Sequence, residues 1–435
     1  MSELIWNNIL TAFYLILWIA TFVWYHYRHR YIDGGTAIMT TYIIYIVFTF
    51  LTLNNEMFNF MYKPLTIFPY IYLYLMLLTA LSPTIFHHFH PVNCIEQPPT
   101  RLLKPYAIFI IIIAFTQVPE VLTNFEDGLV KIVTDVDAGL DSYNENLSEA
   151  NNSGAGITNF FAIIFNTCFD LTIFVAFYML TLKKKNFFII GGIFFSITIG
   201  MLLPIMKGLR GPFITSALTL GVAYMLFLPY LNKKLTKFIN ITGITIFLLF
   251  SIPISTITFS RFGENNEGVF GVLAWYAGQA NVYFNNYAMD AGGIRYGDRT
   301  LNLFKRVILP DTPKNFVERR AKYSNLEIDD ERFTTFVGDF CIDFGPIVAA
   351  LIFIFFNLWV LYQIRARSDI LKLHDVLLIY FTQCICIQGG MTLFTYADAA
   401  NLKIIVTGLA YAYLYTHNEL LKHFPLKIEN NSLES

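Results

Sequence analysis

Asp339 and Asp343 stand four residues apart in Thr334-Thr335-Phe336-Val337-Gly338-Asp339-Phe340-Cys341-Ile342-Asp343-Phe344-Gly345, where a polar interval gives way to a long apolar run. On a helix that spacing puts both carboxylates on one face. A carboxylate so placed could take the proton of an attacking hydroxyl or hold that hydroxyl in position, although a helix N-terminus favours acidic residues with no reaction at all. The cations nearest in kind are Lys207 and Arg210, in the tight turn Lys207-Gly208-Leu209-Arg210-Gly211-Pro212. So short a turn keeps Arg210 close to the apolar segments on either side, and a cation held there calls for an anion. That anion is either a lipid phosphate or a bound phosphate or pyrophosphate, which the planar guanidinium grips with paired hydrogen bonds. Pro212 suits the first turn of a helix whose free N–H groups would face the same anion. Arg261, directly after Thr256-Ile257-Thr258-Phe259-Ser260, offers a second such cation. Arg295, Arg299 and Arg332 are weaker substrate-binding candidates, because acidic residues balance them within their loop.

Other constellations carry less. Asp170, in Phe165-Asn166-Thr167-Cys168-Phe169-Asp170, falls in the middle of an apolar run, where a carboxylate marks a functional site or bonds to a neighbouring helix. Glu120 and Asp398 sit near the ends of other runs and are expected to line the same cavity. Asp135-Val136-Asp137 has the form of a metal-binding DxD, but it lies in a loop so acidic that the pattern arises readily by composition. His87, His88 and His90 lack a second ligand pair at helical spacing, and the five cysteines form no CxxC, so neither a metal site nor a disulfide framework is expected. No phosphate-binding glycine loop and no nucleophile elbow is present, which leaves nucleotide hydrolysis and serine-hydrolase chemistry without a seat. Nothing suggests nucleic-acid binding.

These residues must be positioned by segments of unusual apolarity. Of the 435 residues 55% are hydrophobic and 14% charged, against about 25% charged in a soluble domain. The mean hydropathy is +0.52. Many apolar runs reach the roughly 20 residues that cross a bilayer as helix. They are continuous rather than alternating, so an all-helical polytopic membrane protein is expected, not a barrel. Eleven candidate spans fall at about 4–24, 37–53, 66–85, 105–123, 157–181, 187–206, 211–230, 238–259, 335–362, 374–394 and 401–417. The first run follows Met1-Ser2-Glu3 and reads as a span rather than a cleavable leader.

Orientation follows from the basic residues of the connections. Fifteen fall on one side: Arg28, Arg30, Arg101, Lys104, Lys183, Lys184, Lys185, Lys233, Lys234, Lys237, Arg365, Arg367, Lys372, Lys422 and Lys427. The opposite short connections hold only Lys63, Lys131, Lys207, Arg210 and Lys403. The sequence thus predicts an N-terminus outside, a cytoplasmic tail at 418–435, and both long loops outside, all within one membrane domain. The loop 124–156 is acidic and ends in the linker-like Asn151-Asn152-Ser153-Gly154-Ala155-Gly156. The loop 260–333 begins with the aromatic Gly268–Tyr276, expected to lie in the membrane interface, and continues as a charged stretch from Arg295 to Arg332.

The turn Lys207-Gly208-Leu209-Arg210-Gly211, the long outward loop, and the closing Thr335-Phe336-Val337-Gly338-Asp339-Phe340-Cys341-Ile342-Asp343-Phe344-Gly345 together resemble the Wzy-type polymerases of O-antigen and capsular repeat units. The architectural likeness covers most of the chain, the motif likeness only the two short segments. The resemblance implies a membrane glycosyltransferase of the bacterial inner membrane that needs no metal or other cofactor. Its donor and acceptor would both be undecaprenyl-pyrophosphate-linked glycans. Arg210 and Arg261 would then hold pyrophosphate, whose charge grows as it leaves, and Asp339 or Asp343 would serve the acceptor hydroxyl. An O-antigen ligase shares the large outward loop. A transporter or flippase for an anionic lipid-linked glycan would draw on Asp170, against the absence of a visible inverted repeat. The sugars, and whether a chain-length regulator binds, are left open.

Overall fold

A computed structural model of the chain describes residues 3–30, 32–59, 61–86, 94–95, 100–124, 157–206, 210–262, 268–313, 316–328, 332–364, 370–391 and 398–423. Its long helices are α1 (Glu3–His29), α2 (Gly34–Leu53), α3 (Ile67–Phe86), α4 (Thr100–Asn124), α5 (Ile157–Thr181), α6 (Phe187–Met206), α7 (Arg210–Phe227), α8 (Lys233–Phe262), α9 (Gly268–Tyr283), α10 (Phe336–Gln363), α11 (Leu373–Gln388) and α12 (Asp398–His423). Each of the eleven apolar runs overlaps one of these helices. Among the described residues eight helices are long and apolar enough to cross a membrane, and Leu373–Gln388 is a shorter apolar helix. The chain is a multi-pass membrane protein. Its apolar side chains point both ways: Trp18, Ile38 and Phe174 are buried between helices, while Ile16, Phe188 and Ile347 stand exposed where lipid would cover them.

Several polar side chains of the helices bond locally. Thr11, Thr40 and Thr41 donate to carbonyls four residues back. Asp33 caps α2 by accepting from the N–H of Thr36 at 2.9 Å, and Tyr25 donates to its other oxygen at 2.6 Å. Two pairs of connections are drawn together at opposite ends of the fold. Cys94–Ile95 pairs in parallel with Ile370–Leu371, joining two connections that the charge count puts on the same side. At the end that bears the long loop, Lys63 forms an ion pair with Glu327.

The aromatic segment Gly268–Tyr276 begins α9, which packs closely against α2. The reason is Gly278: a Cβ there would come within 2.4 Å of the Phe48 backbone carbon. This close approach lets Thr49 donate to the Gly278 carbonyl at 2.7 Å and Thr52 to that of Ala274 at 3.1 Å. The chain then widens into a turn of π-helix, Phe284–Ala288. There two successive asparagines hold the connection after α2: Asn286 bonds both the N–H and C=O of Lys63, and Asn285 those of Thr66.

Candidate functional site

The carboxylates of α10 meet the long loop. Thr335 caps this helix by accepting from the Gly338 N–H at 3.3 Å. Ten residues on, the helix is broken at Gly345, which takes φ +76°, and Pro346 follows. Proline has no N–H to give the Ile342 carbonyl, and the break removes the helical partner of Asp343. The loop replaces both: Arg295 N–H donates to the Ile342 carbonyl at 3.0 Å and Tyr296 N–H to that of Asp343 at 2.9 Å. On the other side Tyr72 donates to the Pro346 carbonyl at 2.6 Å. The Asp343 carboxylate then receives the N–H of Arg299 at 3.1 Å, the N–H of Thr300 at 2.6 Å and the Thr300 hydroxyl at 2.7 Å. One turn earlier Asp339 accepts from Nε of Arg299 at 2.6 Å.

Both carboxylates are fully buried, and so is most of the loop chemistry around them. Arg299 lies in an ion pair with Asp339. Arg295 is buried over the Tyr323 ring, 5.7 Å from its centre, and Tyr323 donates to the Arg295 carbonyl at 3.0 Å. Burial, with the Asp298 carboxylate next in effect, pushes the Tyr323 phenol above its ordinary range, so it stays a donor. Lys305 pairs with the buried Asp298. Arg332 lies over Trp275, 4.9 Å from the ring centre. Asn401 of α12 completes the attachment, donating to the Thr300 carbonyl at 2.6 Å and accepting from Leu303 N–H at 2.9 Å. Chemically this is an anchor: the charged groups Asp339, Asp343 and Arg299 bind one another and the loop.

A cavity of about 1030 Å³ lies among residues of α2 to α7 and α9 to α12. Its walls are mostly apolar, with Phe336, Phe340 and Phe353 supplied by α10. Its polar patch is built around Asp170 of α5. Lys403 Nζ stands 3.2 Å from Asp170 Oδ2, and Gln388 Nε2 lies 3.4 Å from the same oxygen while donating to Thr219 at 2.7 Å. The Asp170 and Lys403 side chains are 20% and 33% exposed, against none for Asp339. Hydroxyls brace the α5 backbone at this level, Tyr380 donating to the Asp170 carbonyl at 2.8 Å and Tyr106 to that of Cys168 at 3.2 Å. Glu120 lines the same cavity as Asp170, as expected from sequence. An apolar chamber with a small charged patch suits a ligand that joins a polar head to an apolar body.

The remaining candidates divide by position. The backbone of Arg210 opens α7 beside Gly211 and Pro212, both of which line the cavity, and that of Arg261 lies in the last turn of α8. Their side chains, that of Asp398, and the whole of Lys207 lie outside the described residues, as do Asp135, Asp137, His87, His88 and His90. Among the described residues no group of three or more His, Cys, Asp or Glu could hold a metal ion. Lys403 and Gln388, the partners of Asp170, were not singled out from the sequence. The available signal was a lysine just inside the last apolar run and an aspartate in the middle of another, which must find partners within the bundle. No family model, curated protein or solved structure matches this chain.

Proposed function

We propose that the chain is a polymerase that joins lipid-linked oligosaccharide repeat units on the outer face of a bacterial cytoplasmic membrane. The observation that supports this best is that α10 and α12 each serve the loop and the cavity at once. α10 gives Asp339 and Asp343 to the loop and Phe336 and Phe340 to the cavity, and α12 gives Asn401 to the loop and Lys403 to the cavity. A polyprenyl chain would lie among the helices, with its pyrophosphate towards the α7 N-terminus and Arg210. In the reaction an acceptor hydroxyl attacks the anomeric carbon of the donor glycan, the bond from that carbon to pyrophosphate breaks, and a carboxylate takes the hydroxyl proton. Arginine stabilises the departing charge. Asp339 and Asp343 contribute by fixing the loop. We assign proton removal to Glu120, which lines the cavity.

A strain lacking the gene should carry a single repeat unit on its acceptor in place of a polysaccharide ladder. Loss of all attached glycan would instead favour a ligase or a flippase, the latter being the reading that the Asp170–Lys403 pair would also serve. Restoring Arg210→Ala should leave the protein in the membrane and the ladder absent. A normal ladder from that variant would remove the clamp from the mechanism.

A further inference from the structure

We infer that Lys403 is an anion seat kept occupied by the protein's own Asp170, and that an anionic group carried on an apolar chain displaces the aspartate when it binds. The inference shares the cavity with the proposed reaction but does not require glycan transfer. A buried ion pair that only held α5 to α12 would be expected to be sealed, as the Arg299–Asp339 pair is; Asp170 and Lys403 instead face a chamber about 1030 Å³ in volume. Lysine carries three donors on a flexible stem, and one of them stands 3.2 Å from Asp170 Oδ2. Gln388 donates to that oxygen from 3.4 Å while holding Thr219 at 2.7 Å, so the carboxylate is held on one side and open to exchange on the other.

The walls decide the body of the ligand. Phe169, Phe340, Phe353 and Ile404 line the same chamber as the pair, so a free inorganic anion would leave most of it unfilled, whereas a prenyl chain would cover it. The pair decides the head. A second anion entering beside Asp170 meets its repulsion in a medium of low effective dielectric, so the carboxylate competes with the ligand for the ammonium. Empty of ligand, Lys403 is never left as a lone charge in an apolar bundle.

The test is equilibrium binding of radiolabelled farnesyl pyrophosphate to the full chain in lipid nanodiscs, with inorganic pyrophosphate and farnesol as competitors. Saturable binding is expected, with both competitors weak. Lys403→Gln should weaken it by at least about tenfold and Asp170→Asn should tighten it by about tenfold, the size of an ordinary coupling between adjacent sites. Affinity unchanged or weakened in Asp170→Asn overturns the competition. Inorganic pyrophosphate competing as well as the lipid overturns the role of the walls, and farnesol doing so overturns the anion seat. If Lys403→Gln fails to fold, Asp170→Asn with Lys403→Arg carries the test, the arginine variant retaining binding. Binding as expected in a protein whose loss leaves the ladder normal would reject the polymerase and keep the seat.

Discussion

Removing the Asp343 carboxylate strands the donors that converge on it, two backbone N–H groups and the Thr300 hydroxyl. Each buried donor left unpaired costs about 1–3 kcal/mol, so Asp343→Ala should destabilise the protein by roughly 3 kcal/mol or more. A lowered unfolding temperature in detergent and faster tryptic cutting between Arg295 and Arg332 would show it. Lost polymerisation with an unchanged unfolding temperature would instead make Asp343 a reacting group. Asp339 differs, because its removal leaves the Arg299 guanidinium without its buried carboxylate. Breaking such a pair costs about 3–5 kcal/mol. Asp339→Ala combined with Arg299→Leu should recover part of that loss, which comparison of the single and double variants would measure.

Between elements the decisive contacts are close approaches of backbone. Gly278→Leu would force α9 away from α2, since even a Cβ meets the Phe48 backbone at 2.4 Å. Overpacking of that kind costs about 1–3 kcal/mol, and the unfolding temperature should fall accordingly, whereas Gly243→Leu, with open space around it, should leave it unchanged. These contacts also mark how far the sequence could be read. The apolar runs located the helices because lipid demands length and continuity, and the four-residue spacing of Asp339 and Asp343 correctly put them on one face. What that face meets was not legible, because its donors at Arg295 to Thr300 lie some forty positions away, in a stretch with no periodic signal. The packing of α9 on α2 was hidden for a related reason: its aromatic, uncharged residues carry no sign of a partner, which only the glycine and threonines of the contact supply. Lys403 was hidden by being counted as a connection residue, though it faces Asp170 inside the bundle.

At the scale of the molecule, the charge count predicts an even number of crossings between the long loop and Lys63, and the structure does bring them to one end. A C-terminal green fluorescent protein fusion should fluoresce, and a cysteine placed at Asn325 should react with a membrane-impermeant maleimide in intact spheroplasts. A dark fusion with an unreactive cysteine would invert the topology and with it the side on which any glycan could be joined. The broken helix α10 has one more consequence, for assembly at the translocon. Its two stranded carbonyls are satisfied by Arg295 and Tyr296, and its carboxylate by Arg299, forty-four positions before Asp343. At about 5–20 residues per second the ribosome makes those donors several seconds before the acceptors. The loop is therefore already made when the kink arrives, and its donors need not be awaited from a later part of the chain.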